Sequence, residues 1–230
     1  MKFTTTIPSK YCGPTDSGNG GYTSGIIAKV AHFPAQVTLR KPPPLDKTLE
    51  IKIGREKVEL LDGDTLIGEA IPHNLEIEIP KPPTYEEAVK ASKNYTGFHE
   101  HPFPDCFVCG TNRKPEDGLN LFTGKVKEGM VVSPWTPNES LSEGGKYIDK
   151  EFYWAALDCP GAWTYLDPAR VIVLGRISAK ILEKVEVRKQ YMVLGWPISE
   201  EGRKVFTGTA IFKKDGTLCA VAKATWIALK

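Results

Sequence analysis

Two stretches of the chain run apolar residues up to an Asp-Gly pair and continue them beyond it. In the first, Val58, Leu60 and Leu61 lead into Asp62-Gly63, and Leu66, Ile67 and Ala70 follow. In the second, Ile211 and Phe212 lead into Asp215-Gly216, and Leu218, Ala220 and Ala222 follow. Glycine accepts the positive φ of a tight turn, so residues 58–70 and 210–222 both predict a β-hairpin. Upstream of each hairpin lies a second strand-rich stretch. Residues 35–53 place Val37, Leu39, Leu49, Ile51 and Ile53 in partial alternation, and residues 171–194 carry Ile181, Val185, Val187 and Met192. Alternation of this kind marks a sheet with one face on a core. Further upstream each half offers one helix. The first, residues 21–31, opens with Asn19-Gly20-Gly21-Tyr22, and the second, residues 149–157, contains the unbroken run Phe152-Tyr153-Trp154-Ala155-Ala156-Leu157. A helix apolar on nearly all sides has to be enclosed, and a curved antiparallel sheet is the element at hand to enclose it.

The order helix, then strands, therefore occurs twice, and a repeat of this kind sets the architecture. Between the two copies stand Pro80, Pro82 and Pro83, followed by a polar stretch of helical character up to about Lys93. Prolines favour an extended spacer. The predicted boundaries are an N-terminal unit at 1–80, a proline-containing linker at 81–105 and a C-terminal unit at 106–230.

Composition narrows the function classes. With 230 residues, 41% hydrophobic and 25% charged, the chain has ordinary globular values and needs no staples. A net charge of +2 without a basic stripe between aromatics argues against a nucleic-acid partner. No apolar run approaches the roughly 20 residues that span a bilayer. The first residues, Met1 to Pro8, lack the apolar centre of a secretory signal, so the expected location is the cytoplasm, with no membrane partner. Five cysteines, Cys12, Cys106, Cys109, Cys159 and Cys219, are an odd and sparse set that suits a reducing compartment.

Several motifs carry a family resemblance. Asn19-Gly20-Gly21-Tyr22 followed by Thr38-Leu39-Arg40-Lys41-Pro42-Pro43-Pro44-Leu45 resembles the Gly-Gly helix start and Arg-Pro strand lead-in of hotdog thioesterases. Cys106-Phe107-Val108-Cys109-Gly110, then Gly118-Leu119-Asn120-Leu121, is similar to the opening segment of phenylacetate-type hotdogs. The resemblance implies an α+β double hotdog, two curved antiparallel sheets each wrapping a central helix, which takes acyl-CoA or a related thioester and assembles into homo-oligomers. It implies no cofactor. Phenylacetate-type enzymes place His-Gly-Gly at the start of the central helix and an acid about three turns later. Here the first half has the glycines but Ala28-Lys29 at the acidic position, whereas the second half has Asp158 but no glycines. The acyl-CoA thioesterase II type would add a Thr or Ser after the second helix and a Gln near the last strand. Aligning the Asp-Gly turns puts Ala224 at the Gln position, with Thr225 beside it and Ser178 available for the hydroxyl. Hotdog hydratases use an Asp and a His about five residues apart, and none of His32, His73, His99 or His101 stands in such a pair.

Thioester hydrolysis needs donors for oxyanion charge and a carboxylate that attacks or activates water. Asp158, after the apolar Trp154-Ala155-Ala156-Leu157, is the expected carboxylate, and burial would raise its pKa toward a base's working range. Its bland alternative is a hydrogen bond to amides freed at Cys159-Pro160-Gly161. The helix-start amides of Gly20, Gly21 and Tyr22 are the candidate oxyanion donors, Gly21 and Tyr22 first among them, with Asn19 and Gly20 contacting ligand; the bland alternative is a flexible turn. Most of the tryptophans are read as core, while Trp154 and Trp163, near Asp158, are expected to line an acyl or aromatic pocket. His99, His101, Cys106 and Cys109 have zinc-binding side chains, but the spacing is tight, Pro102 and Pro104 stiffen it, and no second Cys-x-x-Cys exists. The preferred reading is a loop with small buried cysteines and no metal. The resulting expectation is an acyl-CoA thioesterase-like hydrolase; the alternative is a non-catalytic hotdog that binds an acyl or aromatic ligand.

Overall fold

A computed structural model describes residues 2–165 and 170–229. Its strands are β1 (Lys2–Thr6), β2 (Ala35–Leu39), β3 (Thr48–Ile53), β4 (Val58–Asp62), β5 (Thr65–Pro72), β6 (Gly124–Lys127), β7 (Met130–Trp135), β8 (Ile172–Ile181), β9 (Tyr191–Glu201), β10 (Lys204–Lys213) and β11 (Leu218–Ala228). The helices are α1 (Gly20–Ala28), α2 (Tyr85–Ser92), α3 (Lys150–Ala156) and α4 (Cys159–Ala162). Among the described residues the strands form one antiparallel sheet in the order β1-β3-β4-β5-β2-β8-β11-β10-β9-β7-β6.

The order is symmetric about the β2–β8 seam: β3-β4-β5-β2 on one side mirrors β9-β10-β11-β8 on the other. Both Asp-Gly hairpins form, with Gly63 and Gly216 at φ of 56° and 88°. The sheets expected separately are thus continuous. Val37 pairs with Ile177 across the seam, and Gln36 Nε2 donates to Ser178 Oγ at 3.3 Å. The first predicted helix ends three residues early, at Ala28, and the second forms as α3 and stops at Ala156.

α1 and α3 pack directly on each other beneath the sheet. α1 also rests on β2, β5 and β8, and α4 rests on β9 and β10. The long strands of the second half are buried on both faces. Val131, Val193, Ile211, Ala220 and Ala222 face the helices, whereas Val132, Met192, Leu194, Phe212 and Val221 face a second apolar cluster with Ala88 and Ala91 of α2. This double burial explains the near-continuous apolar runs there.

The stretch expected to act as a spacer is packed onto the sheet. α2 starts at a reciprocal cap, in which Glu87 N–H donates to Thr84 Oγ1 at 3.2 Å and Thr84 N–H donates to Glu87 Oε2 at 2.7 Å. It lies so close to β6 that a Cβ on Gly124 would collide with the Ala91 backbone. Just beyond α2, Tyr95 is fully buried and its hydroxyl donates to the Cys109 carbonyl at 2.9 Å. Tyr95→Phe should lower unfolding free energy in urea by about 1 kcal/mol, the usual worth of one buried hydrogen bond. An unchanged urea midpoint would show that this bond contributes nothing.

Candidate functional site

The site begins at Asn19, which caps α1. Its Oδ1 accepts from the Tyr22 amide at 2.8 Å, satisfying one of the helix's unpaired donors. The same side chain turns its amide nitrogen toward Asp158, donating to Oδ2 at 2.8 Å. Asp158 comes from the turn between α3 and α4, so this bond ties the two halves of the chain together. The Gly21 amide donates to the same oxygen at 3.0 Å. The other oxygen, Oδ1, is buried and has no partner among the described residues.

Asp158 is 2% exposed. Burial pushes its pKa up to about 7; the Gly21 and Asn19 hydrogen bonds act the other way, and the neighbouring Cys106 adds to the rise. The capping alternative takes another form from that expected. The Asp158 side chain caps no amide of α4 and instead accepts from an amide at the start of α1.

A cavity of about 460 Å³ opens beside this carboxylate. Asn19, Gly20, Asp158 and Trp163 line it, together with Leu174 and Trp226. Four of the residues singled out from sequence therefore meet there although they come from different halves. Five do not reach it. Gly21 is covered by α3: a Cβ on it would stand 2.5 Å from Asp158 Cβ and from the Trp154 carbonyl. The glycine serves close helix approach rather than ligand approach, and its amide is engaged by Asp158. Tyr22 points into an aromatic cluster, stacked on Tyr11 at 4.1 Å between centroids, and its amide is engaged by Asn19. Trp154 is buried in α3 against α1. Ser178 and Thr225 lie on β8 and β11, the former tied into the seam by Gln36. The first-half position where an acid was expected holds Lys29, whose Nζ pairs with Glu151 of α3 at 2.8 Å.

The amide free for a ligand is that of Gly20. As the first residue of α1 it has no acceptor inside the helix, it lines the cavity, and no described residue accepts from it. Sequence reasoning named Gly20 among the donors but put Gly21 and Tyr22 first, because the choice depends on Asp158 occupying the Gly21 amide. Trp226 was also missed. Its indole donates to Thr207 Oγ1 at 2.9 Å while its ring lines the cavity, a placement that strand alternation alone does not reveal.

The four-residue zinc set does not assemble. His99 is exposed, and both ring nitrogens of His101 are engaged, Nδ1 accepting from the Phe103 amide at 2.9 Å and Nε2 lying 3.0 Å from the Cys109 carbonyl. Burial holds the His101 pKa below the ordinary histidine value. Cys106 and Cys109 are joined instead by Cys159, with Cys106 Sγ and Cys159 Sγ 3.7 Å apart. The separation of fifty residues in sequence hid this third cysteine.

Asn19→Ala would remove the α1 cap and one donor to Asp158 together. It should cost about 1–2 kcal/mol in urea unfolding, the upper range for a cap. A change under about 0.5 kcal/mol would mean that Asn19 stabilises neither helix nor carboxylate.

No family model and no curated protein matches this chain. Solved structures do. The tesB protein of Mycobacterium avium subsp. paratuberculosis aligns at 12% identity and TM-score 0.64, over 100% of this chain and 93% of that one. A protein of unknown function with a hotdog fold from Alicyclobacillus acidocaldarius aligns at 9% identity and TM-score 0.60, over 100% and 93%. A Lactobacillus plantarum protein named as an oleoyl thioesterase aligns at 11% identity and TM-score 0.60, over 100% and 96%. The chain has a hotdog fold. No helix among the described residues is long and apolar enough to cross a membrane.

Proposed function

We propose that the chain is a double hotdog thioester hydrolase that acts on acyl-CoA or a related acyl or aromatic thioester. Its two units, 1–80 and 106–230, would be joined along the β2–β8 seam. The observation that carries this reading is Asp158, a buried carboxylate with one oxygen fixed by Asn19 and Gly21 and the other unpartnered, at the wall of a largely apolar cavity. The mirrored strand order and the likeness in fold to a tesB protein and to a protein named as an oleoyl thioesterase support it.

In this reading Oδ1 of Asp158 takes a proton from water as the water oxygen adds to the thioester carbonyl carbon. Negative charge on the carbonyl oxygen meets the Gly20 amide, which the α1 N-terminus aims outward. The C–S bond then breaks, and the proton passes from Asp158 to the departing thiolate. Apolar wall residues such as Leu174, Trp163 and Trp226 hold the acyl or aryl group.

The test is thiol release from a panel of aliphatic and aromatic acyl-CoAs. At least one should turn over, and Ser178→Ala and Thr225→Ala, at positions that do not line the cavity, should keep kcat/KM within about twofold. A specific observation favours a second reading, a non-catalytic acyl binder: the Gly21 and Tyr22 amides are already engaged. That reading predicts thermal stabilisation by acyl-CoA with no thiol released. Such a result would overturn the hydrolase assignment.

A further inference from the structure

We propose that Cys106, Cys109 and Cys159 hold one zinc-class ion, with its fourth coordination position open to the cavity beside Asp158. All three residues are buried, their sulfurs lie within 4.8 Å of one another, and all three line the cavity. Zinc–thiolate bonds of about 2.3 Å at tetrahedral angles place two sulfurs about 3.8 Å apart. Cys106 Sγ and Cys159 Sγ stand at 3.7 Å. A [4Fe–4S] cluster, in which each cysteine binds a different iron, needs them further apart. A disulfide needs about 2.05 Å and would leave the third cysteine unpaired.

The chain around the cysteines is shaped for such an ion. Cys106-Phe107-Val108-Cys109-Gly110 closes on itself through the Gly110 amide, which donates to the Cys106 carbonyl at 2.8 Å. A Cβ on Gly110 would stand 2.5 Å from the Cys106 and Pro104 carbonyl oxygens, so only glycine fits. The loop is pinned from outside, by the Phe107 amide on the Cys12 carbonyl at 2.8 Å and by Tyr95 on the Cys109 carbonyl at 2.9 Å.

One side-chain donor stands beside two of the sulfurs. Asn19 Nδ2 lies 3.9 Å from both Cys106 Sγ and Cys159 Sγ. The buried indole N–H of Trp163, which also lines the cavity, has no hydrogen-bond partner among the described residues. Three thiolates on a divalent ion carry a net charge of −1, which the Asn19 amide beside two of them helps to offset. The soft sulfur set selects zinc over magnesium or calcium. Three protein ligands leave one position for water or for a thiol sulfur. The site stands on its own geometry and does not depend on the chain's being a hydrolase.

The experiment is metal analysis of the full chain, purified without a polyhistidine tag and without added zinc or chelator. About one zinc per chain is expected. Cys106→Ser and Cys159→Ser should each lower zinc content at least about tenfold. Cys219→Ser, which alters a buried cysteine outside the cluster, should leave it unchanged. Because a serine variant that misfolds would also lose metal, the wild-type chain gives a second readout. Replacing the ion with cobalt(II) should produce strong near-ultraviolet thiolate-to-metal absorption, and a chelator should abolish it and expose three further reactive thiols. Zinc below about 0.1 per chain together with no cobalt–thiolate absorption would overturn the proposal. So would a native disulfide between any two of the three. None of these measurements uses a thioester, so their failure is distinct from failure of the hydrolase reading.

Discussion

Asp158→Asn should lower thiol release from the best acyl-CoA at least about 100-fold, the order expected when an acid–base group is lost. The fold should survive. An asparagine oxygen can accept from Asn19 Nδ2 and the Gly21 amide as Asp158 Oδ2 does, and its NH2 would take the place of Oδ1, which has no partner to lose. The substitution also removes a buried carboxylate that burial already disfavours in its charged form. Stability should therefore hold or rise while activity falls. A carboxylate present only to tie α1 to α3 predicts the reverse, an unchanged rate. Equal rates in the two proteins would remove Asp158 from the mechanism. Urea unfolding beside the rate measurement keeps the two outcomes apart.

Much of the fold was legible because local chemistry dictated it. Asp62-Gly63 and Asp215-Gly216 specify hairpins through a backbone geometry that few other pairs tolerate, and both form. The two helices were legible because Asn19 is a strong cap and because the run from Phe152 to Leu157 has no polar side to expose. The edge strands β1 and β6 were not. β1, Lys-Phe-Thr-Thr-Thr, is held by its pairing with β3 and has little apolar pattern of its own. α2 was read as part of a spacer because its buried side is made of two alanines, Ala88 and Ala91, whose value lies in letting the helix approach Gly124 and not in hydrophobicity.

The site divided along the same line. Asp158, Asn19, Gly20 and Trp163 were singled out by residue type, neighbourhood and family resemblance, and the fold brings them to one cavity. Gly21 was assigned to a ligand because a Gly-Gly helix start has the same sequence whether an acyl group or another helix comes close. What decides is the element opposite, and here that is α3. Cys159 lay fifty residues from its partners, so no linear spacing could join it to Cys106 and Cys109.

Gly25→Ala tests that helix contact through the sign of its effect. Gly25 sits one turn after Gly21 on α1, and a Cβ there would stand 2.5 Å from Glu151 Cα and 2.8 Å from the Glu151 carbonyl oxygen. Both obstacles are backbone, so no rotamer change relieves them, and α1 and α3 would have to separate. Intrinsic helix propensity pulls the other way, because alanine in a helix interior is favoured over glycine by about 1 kcal/mol. Were the helices further apart, the substitution would stabilise the protein. At the observed spacing overpacking dominates, and the expected loss is about 3 kcal/mol, the upper part of the range for groups forced into a filled core. Urea denaturation should show the midpoint falling with the slope unchanged. Separation would also stretch the Gly21–Asp158 bond, so thiol release should fall with stability in Gly25→Ala, whereas Asp158→Asn loses rate alone. A higher midpoint in Gly25→Ala would show that α1 and α3 are not in backbone contact, and the placement of Asp158 against the start of α1 would fall with it.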